Sequence, residues 1–125
     1  MLRNVANTVL SQSSLIKALA AHQSANRSTS LITMYIPAST QLTEITRMIT
    51  SEMAQSHNIK SRQTRQGVQD SLQAISTQIK GVRKLPSNGV VLLAGETTEG
   101  FVNETIVPLR AIDRFFYRCG SKFYI

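Results

Sequence analysis

The sequence predicts an α/β fold: a single-domain sandwich in which three helices pack against one mixed sheet of about four strands, with an αα-hairpin projecting from it. Three observations point there. Apolar residues recur at helical spacing in two adjacent stretches, 42–53 and 68–82. Short runs rich in β-branched and aromatic residues, bounded by Pro and Gly, occur at 31–36, 90–94, 101–107 and near the C-terminus. The chain has 125 residues, 42% of them hydrophobic, which suits one core without a metal or disulfide staple.

The first element is a short helical stripe of Leu15, Ile16, Leu19 and Ala20, preceded by a flexible stretch over residues 1–14. Polar residues 24–30 break the stripe and read as a loop. Leu31 to Ile36 forms a strand that stops at Pro37. Thr40 is the expected N-cap of the next helix, with Glu44 in the first turn, where the helix dipole favours an anion. Leu42, Ile45, Ile49 and Met53 line one face of that helix, with Met48 beside them, and it ends near Ser56-His57-Asn58. A second helix starts near Ser61 and carries Val68, Leu72, Ile75, Ile79 and Val82 as its stripe. Gly67 inside it costs about 1 kcal/mol relative to Ala. The very short polar link between the two makes an antiparallel hairpin.

Pro86-Ser87-Asn88-Gly89 is a turn, followed by the apolar strand Val90–Ala94, expected in the sheet interior. An acidic connection over 96–100 leads to a strand at 101–107, ended by Pro108. Phe115–Arg118, a turn at Cys119-Gly120-Ser121 and Lys122–Ile125 complete a final strand-turn-strand.

Charge and composition narrow the function. Fourteen Lys+Arg against seven Asp+Glu leave a net charge of +7, which favours a polyanion partner. One cysteine excludes an internal disulfide framework, and no apolar run is long enough to span a membrane. The first acidic residue is Glu44; before it the only charged side chains are Arg3, Lys17 and Arg27. Such an acid-poor start is compatible with a mitochondrial transit segment, although an ordinary polar helix accounts for so few cations. Catalytic or metal-binding constellations are poor: His22 and His57 lack a third partner, no glycine-rich phosphate loop occurs, and Cys119 has no neighbouring His in sequence. No cofactor and no enzymatic activity are expected.

Two constellations stand out. Lys60, Arg62 and Arg65 cluster at the N-terminal end of a helix, where the dipole already carries positive charge, an arrangement suited to an anion. Asn58 and Ser61 add hydrogen-bonding groups, and Glu52 supplies a carboxylate one or two turns earlier, able to accept from base amino groups. A solvated basic face reads the same way from charge alone. The second constellation runs from Tyr117 to Phe123: five of the seven aromatic residues lie in the last eleven positions, interleaved with Arg114, Arg118 and Lys122, a pattern that single-stranded RNA binding uses. Phe115 and Phe116 read as core; for Tyr117 and Phe123 the facing side is open.

These residues carry a resemblance. Asn58-Ile59-Lys60-Ser61 and the Tyr-x-Cys-x-x-x-Phe pattern of Tyr117, Cys119 and Phe123 occur in the order and separation found in the N-terminal decoding domain of the class-I translation termination factor of eukaryotes and archaea. The chain resembles that family from about residue 15 onward, including Thr29-Ser30 before the first strand and Pro86-Ser87-Asn88-Gly89 before the apolar one. The resemblance implies an RNA-binding decoding domain spanning residues 1–125, which enters the ribosomal A site, contacts small-subunit rRNA and reads the stop codon of the mRNA. It implies that Lys60 contacts the first uridine, that Asn58, Ile59 and Ser61 shape the tip, that Glu52 helps read the purines, and that Thr29, Ser30, Tyr117, Cys119 and Phe123 face the codon. Arg62 and Arg65 are expected to contact RNA phosphates. Three positions depart from the family pattern and bear on codon range: Ser28 replaces a Gly, Gly120 an Asp, and Gly67 a residue with a side chain.

The sequence has no Gly-Gly dipeptide, so the Gly-Gly-Gln domain that promotes peptide release in the family is expected to be absent, as is the C-terminal domain that recruits the GTPase partner. The expected location is the cytoplasm. A ribosome-associated or organellar ribosomal protein derived from such a domain is the alternative.

Overall fold

In the computed structural model, which describes residues 9–25 and 28–125, the elements follow the expected order. They are α1 (Val9–Ala21), β1 (Leu31–Ile36), α2 (Leu42–Ser56), α3 (Arg62–Lys80), β2 (Val90–Thr97), β3 (Gly100–Ile106) and β4 (Phe116–Gly120). The lead read over residues 1–14 falls partly outside the described residues, as does Arg27; residues 9–14 belong to α1.

The four strands lie in the order β3-β2-β1-β4. The expected mixed sheet is corrected: every pair is antiparallel. The helical hairpin is the reason. One crossover helix would deliver β2 parallel to β1. Here α2 runs out and α3 runs back, so β2 begins beside the end of β1, with Ile36 opposite Val90 and Ile32 opposite Ala94. The β2–β3 pair is a tight hairpin from Val91 opposite Ile106 to Thr97 opposite Gly100, so the predicted acidic connection shrinks to a turn at Thr98-Glu99. From β3 the chain crosses to the far edge, where β4 pairs with β1.

The sheet is covered on both faces. Ile32, Met34, Ile36, Val90, Leu92 and Ala94 pack against Ile45 and Ile49 of α2 and Val68, Leu72, Ile75 and Ile79 of α3. On the opposite face Leu31, Val91, Leu93 and Ile106 pack against Leu19 of α1, with Leu15 and Ile16 alongside. That two-sided burial explains why Val90–Ala94 is apolar without alternation.

Two local expectations are corrected. Gln41, not Thr40, is the N-cap of α2; Thr40 donates its N–H to the Pro37 carbonyl at 3.0 Å, closing a turn that delays the helix by one residue. Cys119 and Gly120 are strand residues opposite Ile32 and Leu31, and the residues after Ser121-Lys122 form no second strand. Instead the Tyr124 N–H donates to Thr33 Oγ1 at 2.9 Å, while Phe123 enters the core on the α1 face. The expected core positions Phe115 and Phe116 are correspondingly exposed and half-exposed. Among the described residues no helix is long and apolar enough to cross a membrane.

Candidate nucleic-acid interface

The tip of the hairpin is built by short-range hydrogen bonds. The α2 C-cap residue His57 donates its N–H to Ala54 O, and the next two amides, of Asn58 and Ile59, donate to Gln55 O and Ser56 O at 3.0 and 3.1 Å. Ser61 then caps α3, its hydroxyl accepting the Thr64 N–H at 3.2 Å. Gln69 ties the two helices together below the tip, donating to Ser56 Oγ at 3.1 Å and lying 3.3 Å from His57 Nδ1. Asn58, Lys60, Ser61 and Arg62 are exposed. Arg65 is half-buried, and its Nη1 donates to the Ile59 carbonyl at 3.0 Å. It therefore braces the backbone that presents Lys60, a role its charge alone does not reveal.

Below the tip, α2, α3 and β4 enclose an open groove of about 280 Å³. Its lining includes Glu52, Gln55, Ser56 and Ile59 from α2 and the turn, Thr64 and Val68 from α3, Thr29 from the loop before β1, and Tyr117 and Cys119 from β4. Register places the last two: opposite Met34 and Ile32, they share the face that carries the helices.

The groove's chemistry is set by partial burial. Tyr117 Oη and Cys119 Sγ lie 3.2 Å apart. Burial raises the Tyr117 phenol well above its ordinary range, and the hydrogen bond to Cys119 and the negative Glu52 carboxylate reinforce the shift. Burial also raises the Cys119 thiol; Glu52 adds to that rise and the Tyr117 hydrogen bond opposes it. Both groups stay protonated near neutral pH. The groove thus offers neutral hydroxyl and thiol groups beside one acidic side chain, with cations on the tip above.

Thr29 and Ser30 separate. Thr29 is exposed and lines the groove, whereas Ser30 is 2% exposed. The Ser30 carbonyl accepts from Ser71 Oγ at 2.7 Å, and its hydroxyl lies 2.8 Å from Ser28 Oγ. Gly67 permits this approach, since a Cβ there would stand 2.8 Å from Ser30 Cβ. Phe123 is not part of the groove: it is 5% exposed and packs on the α1 face of the sheet. Sequence reasoning missed Gln55, Ser56, Thr64 and Val68. The signal was helical periodicity from Glu52, at steps of three and four on α2, and from Thr64 to Val68 on α3.

Among the described residues no group of three or more His, Cys, Asp or Glu is placed to hold a metal ion.

Fold and groove together define a class: a small α/β domain that presents a cationic helix-hairpin tip above a polar groove bounded by a sheet edge. The sequence profile described as eRF1 domain 1 matches residues 11–125. Peptide chain release factor subunit 1 of Methanopyrus kandleri is 41% identical over 101 residues, covering 78% of this chain and 25% of the relative. The protein of the same name from Archaeoglobus fulgidus is 38% identical over 103 residues, covering 79% and 25%. The crystal structure of an archaeal translation termination factor, aRF1, superposes with a TM-score of 0.84 at 28% identity, covering 92% of this chain and 32% of that one. The chain belongs to the eRF1 domain 1 family. It spans about a quarter of the length of these curated relatives.

Proposed function

We propose that residues 1–125 act as one decoding domain in translation termination, recognising a stop codon of mRNA in the ribosomal A site while contacting small-subunit rRNA, in the cytoplasm. The observation that carries this reading is convergence. Glu52, Thr29, Tyr117 and Cys119, drawn from three separate parts of the chain, line one groove beneath the tip that presents Lys60. A base edge needs acceptors and neutral donors at close quarters, and the codon backbone needs cations nearby. Glu52 supplies the acceptor, Tyr117, Cys119 and Thr29 the neutral groups, and Lys60 and Arg62 the cations. Membership of a family whose curated relatives are release factors supports the same role. These 125 residues contain no Gly-Gly-Gln sequence, so the reading is one of recognition without peptidyl-tRNA hydrolysis, and contact with a GTPase partner is assigned to other parts of the termination machinery.

The test compares the affinity of the chain for ribosomal complexes carrying a stop codon or a sense codon in the A site. Tighter binding to the stop complexes is expected. Equal affinity for both sets, with binding otherwise intact, would leave a codon-independent ribosomal contact in its place.

A further inference from the structure

The aromatic residues of the C-terminal segment divide between two faces of the sheet, and only Tyr117 enters the groove. Phe116 and Arg118 project to the other face, as their register opposite Tyr35 and Thr33 requires. There Tyr35 and Phe116 meet edge to face, with centroids 5.5 Å apart, and the Tyr124 ring lies 6.3 Å from Phe116. The three rings line an open concavity of about 290 Å³. The Arg118 guanidinium stands 4.9 Å from the Tyr124 centroid and 5.8 Å from that of Phe116. Tyr124 is 41% exposed, and Arg118 is exposed beside it.

The cluster is ordered from beneath. Tyr35 Oη donates to the Tyr124 carbonyl at 2.8 Å, and the Tyr124 N–H donates to Thr33 Oγ1. Gly120 leaves room for the ring above it: a Cβ there would lie 2.8 Å from Tyr124 Cε1. This accounts physically for a glycine where the family pattern commonly has Asp. These rings are held in place by backbone contacts yet remain open to solvent, and Phe116 among them lies on the edge strand β4.

We infer that this face is a second RNA contact, separate from the groove, taking one unpaired nucleotide of a single strand: its base stacks on the Tyr124 and Phe116 rings and its phosphate meets Arg118. The concavity suits one planar base rather than a larger ligand. An exposed ring beside a guanidinium, on a chain of net charge +7, complements a base and its phosphate rather than an acidic or neutral protein surface. The face lies on the opposite side of the sheet from Glu52 and Cys119, so both contacts fit on one domain at once.

The test titrates the full chain with a twelve-nucleotide oligo(A) RNA and with a twelve-base-pair RNA duplex, following the ring NMR signals of Phe116 and Tyr124. Shifts of both rings with the single strand, and little change with the duplex, are expected. In a Lys60→Ala background, which weakens the tip, Tyr124→Ala and Arg118→Gln should each lower single-strand affinity, Tyr124→Ala by about 5- to 150-fold as for loss of a stacked base. Gly120→Asp should act in the same direction by displacing the ring. Tyr124→Ala keeps both backbone anchors, and Arg118→Gln changes only an exposed side chain, so loss of fold does not confuse the result. Unmoved ring signals, or affinities equal to the background, overturn the inference. So does a concentration-dependent dimer abolished by Tyr124→Ala, which would make the face a self-association surface. With Lys60 intact, Tyr124→Ala and Arg118→Gln should leave the stop-to-sense preference unchanged, so failure here and failure of the decoding role, on which this inference does not depend, are read separately.

Discussion

The hydroxyl of Ser71, fully buried in α3, donates a 2.7 Å hydrogen bond to the main-chain carbonyl of Ser30, and so fastens the loop carrying Thr29 to the helix that forms one wall of the groove. The same hydroxyl also contacts the Gly67 carbonyl one turn earlier, at 2.9 Å. Replacing Ser71 with Ala leaves a buried carbonyl without this partner, which should cost about 1–3 kcal/mol in urea-induced unfolding.

Gly67→Ala sets two effects against each other. Helix propensity gains about 1 kcal/mol. The added Cβ meets Ser30 Cβ at 2.8 Å, and overpacking at a closed site costs about 1–3 kcal/mol. Neither Ser30 Cβ nor its backbone can swing aside as the tip of a long side chain could, so the steric cost should win. The unfolding midpoint should fall, and affinity for stop-codon ribosomal complexes should fall with it, because Thr29 is displaced.

Alkaline stability follows from the raised ionisations in the groove. The unfolded chain releases the Cys119 proton near the ordinary value of 9.0 and the Tyr117 proton near 10.0, while the folded chain holds both to higher pH. Between those limits the native state binds more protons than the unfolded one, so stability is fully present below about pH 9 and falls as pH rises. The slope is at most about 1.4 kcal/mol per pH unit for each group, and less here because the groove is half open to solvent. In urea titrations from pH 8 to 11, Cys119→Ser and Tyr117→Phe should each make the decline shallower.

Most of the element order was legible because it rests on periodicity. The stripes of α2 and α3, the start of α3 near Ser61 and the apolar β2 strand each carry a local pattern that tertiary contacts reinforce. What local pattern cannot encode is the side of the sheet on which a terminal residue falls. Phe123 follows the turn at Ser121-Lys122, and once that turn breaks the alternation its spacing from Tyr117 no longer fixes its face. The tip was legible at Lys60 and the groove at Glu52, Tyr117 and Cys119, through charge placement and motif, whereas for Ser30 and Arg65 residue type alone is visible. A serine beside an exposed threonine gives no sign of being buried, and an arginine in a basic cluster gives no sign of bracing a carbonyl. Gln78 was invisible for the same reason. It sits 5% exposed because its amide bonds Asn103 and Thr105 on β3.

That Gln78 bridge makes a stability prediction. Thr105 donates to Gln78 Oε1, and Gln78 Nε2 donates to Asn103 Oδ1, joining α3 to the edge strand β3. Gln78→Ala would strand the buried Thr105 hydroxyl and open a small void. A loss of about 2–3 kcal/mol is expected by chemical denaturation. Thr105→Val in the same background should recover part of it, since both polar partners are then gone.

The tip should behave as two kinds of cation. Lys60 and Arg62 are exposed and free to meet phosphate, so Lys60→Ala and Arg62→Ala should each weaken ribosomal binding and flatten the log–log salt dependence by about 0.7. Arg65 is tied to the Ile59 carbonyl. Arg65→Ala should weaken binding with a smaller change in salt slope, and hydrogen exchange at Ile59 and Lys60 should quicken as the tip loses its brace. If Arg65→Ala changed the slope as much as Lys60→Ala and left exchange untouched, Arg65 would be a phosphate contact instead.

Glu52 can be tested through two readouts that answer to the same carboxylate. Its negative charge raises both the Tyr117 phenol and the Cys119 thiol. Glu52→Gln keeps the shape and removes the charge, so the Cys119 thiol should ionise at lower pH and react faster with iodoacetamide at pH 8–9. A carboxylate accepts at both oxygens, whereas an amide accepts at one and presents an NH₂ at the other, where it faces a base amino group donor to donor. Stop-codon complexes should therefore bind about tenfold more weakly, equivalent to about 1.4 kcal/mol, with little change for sense-codon complexes. A faster thiol without a change in codon preference would place Glu52 in the electrostatics of the groove but outside its contact with the bases. Loss of codon preference together with the faster thiol places the carboxylate in both.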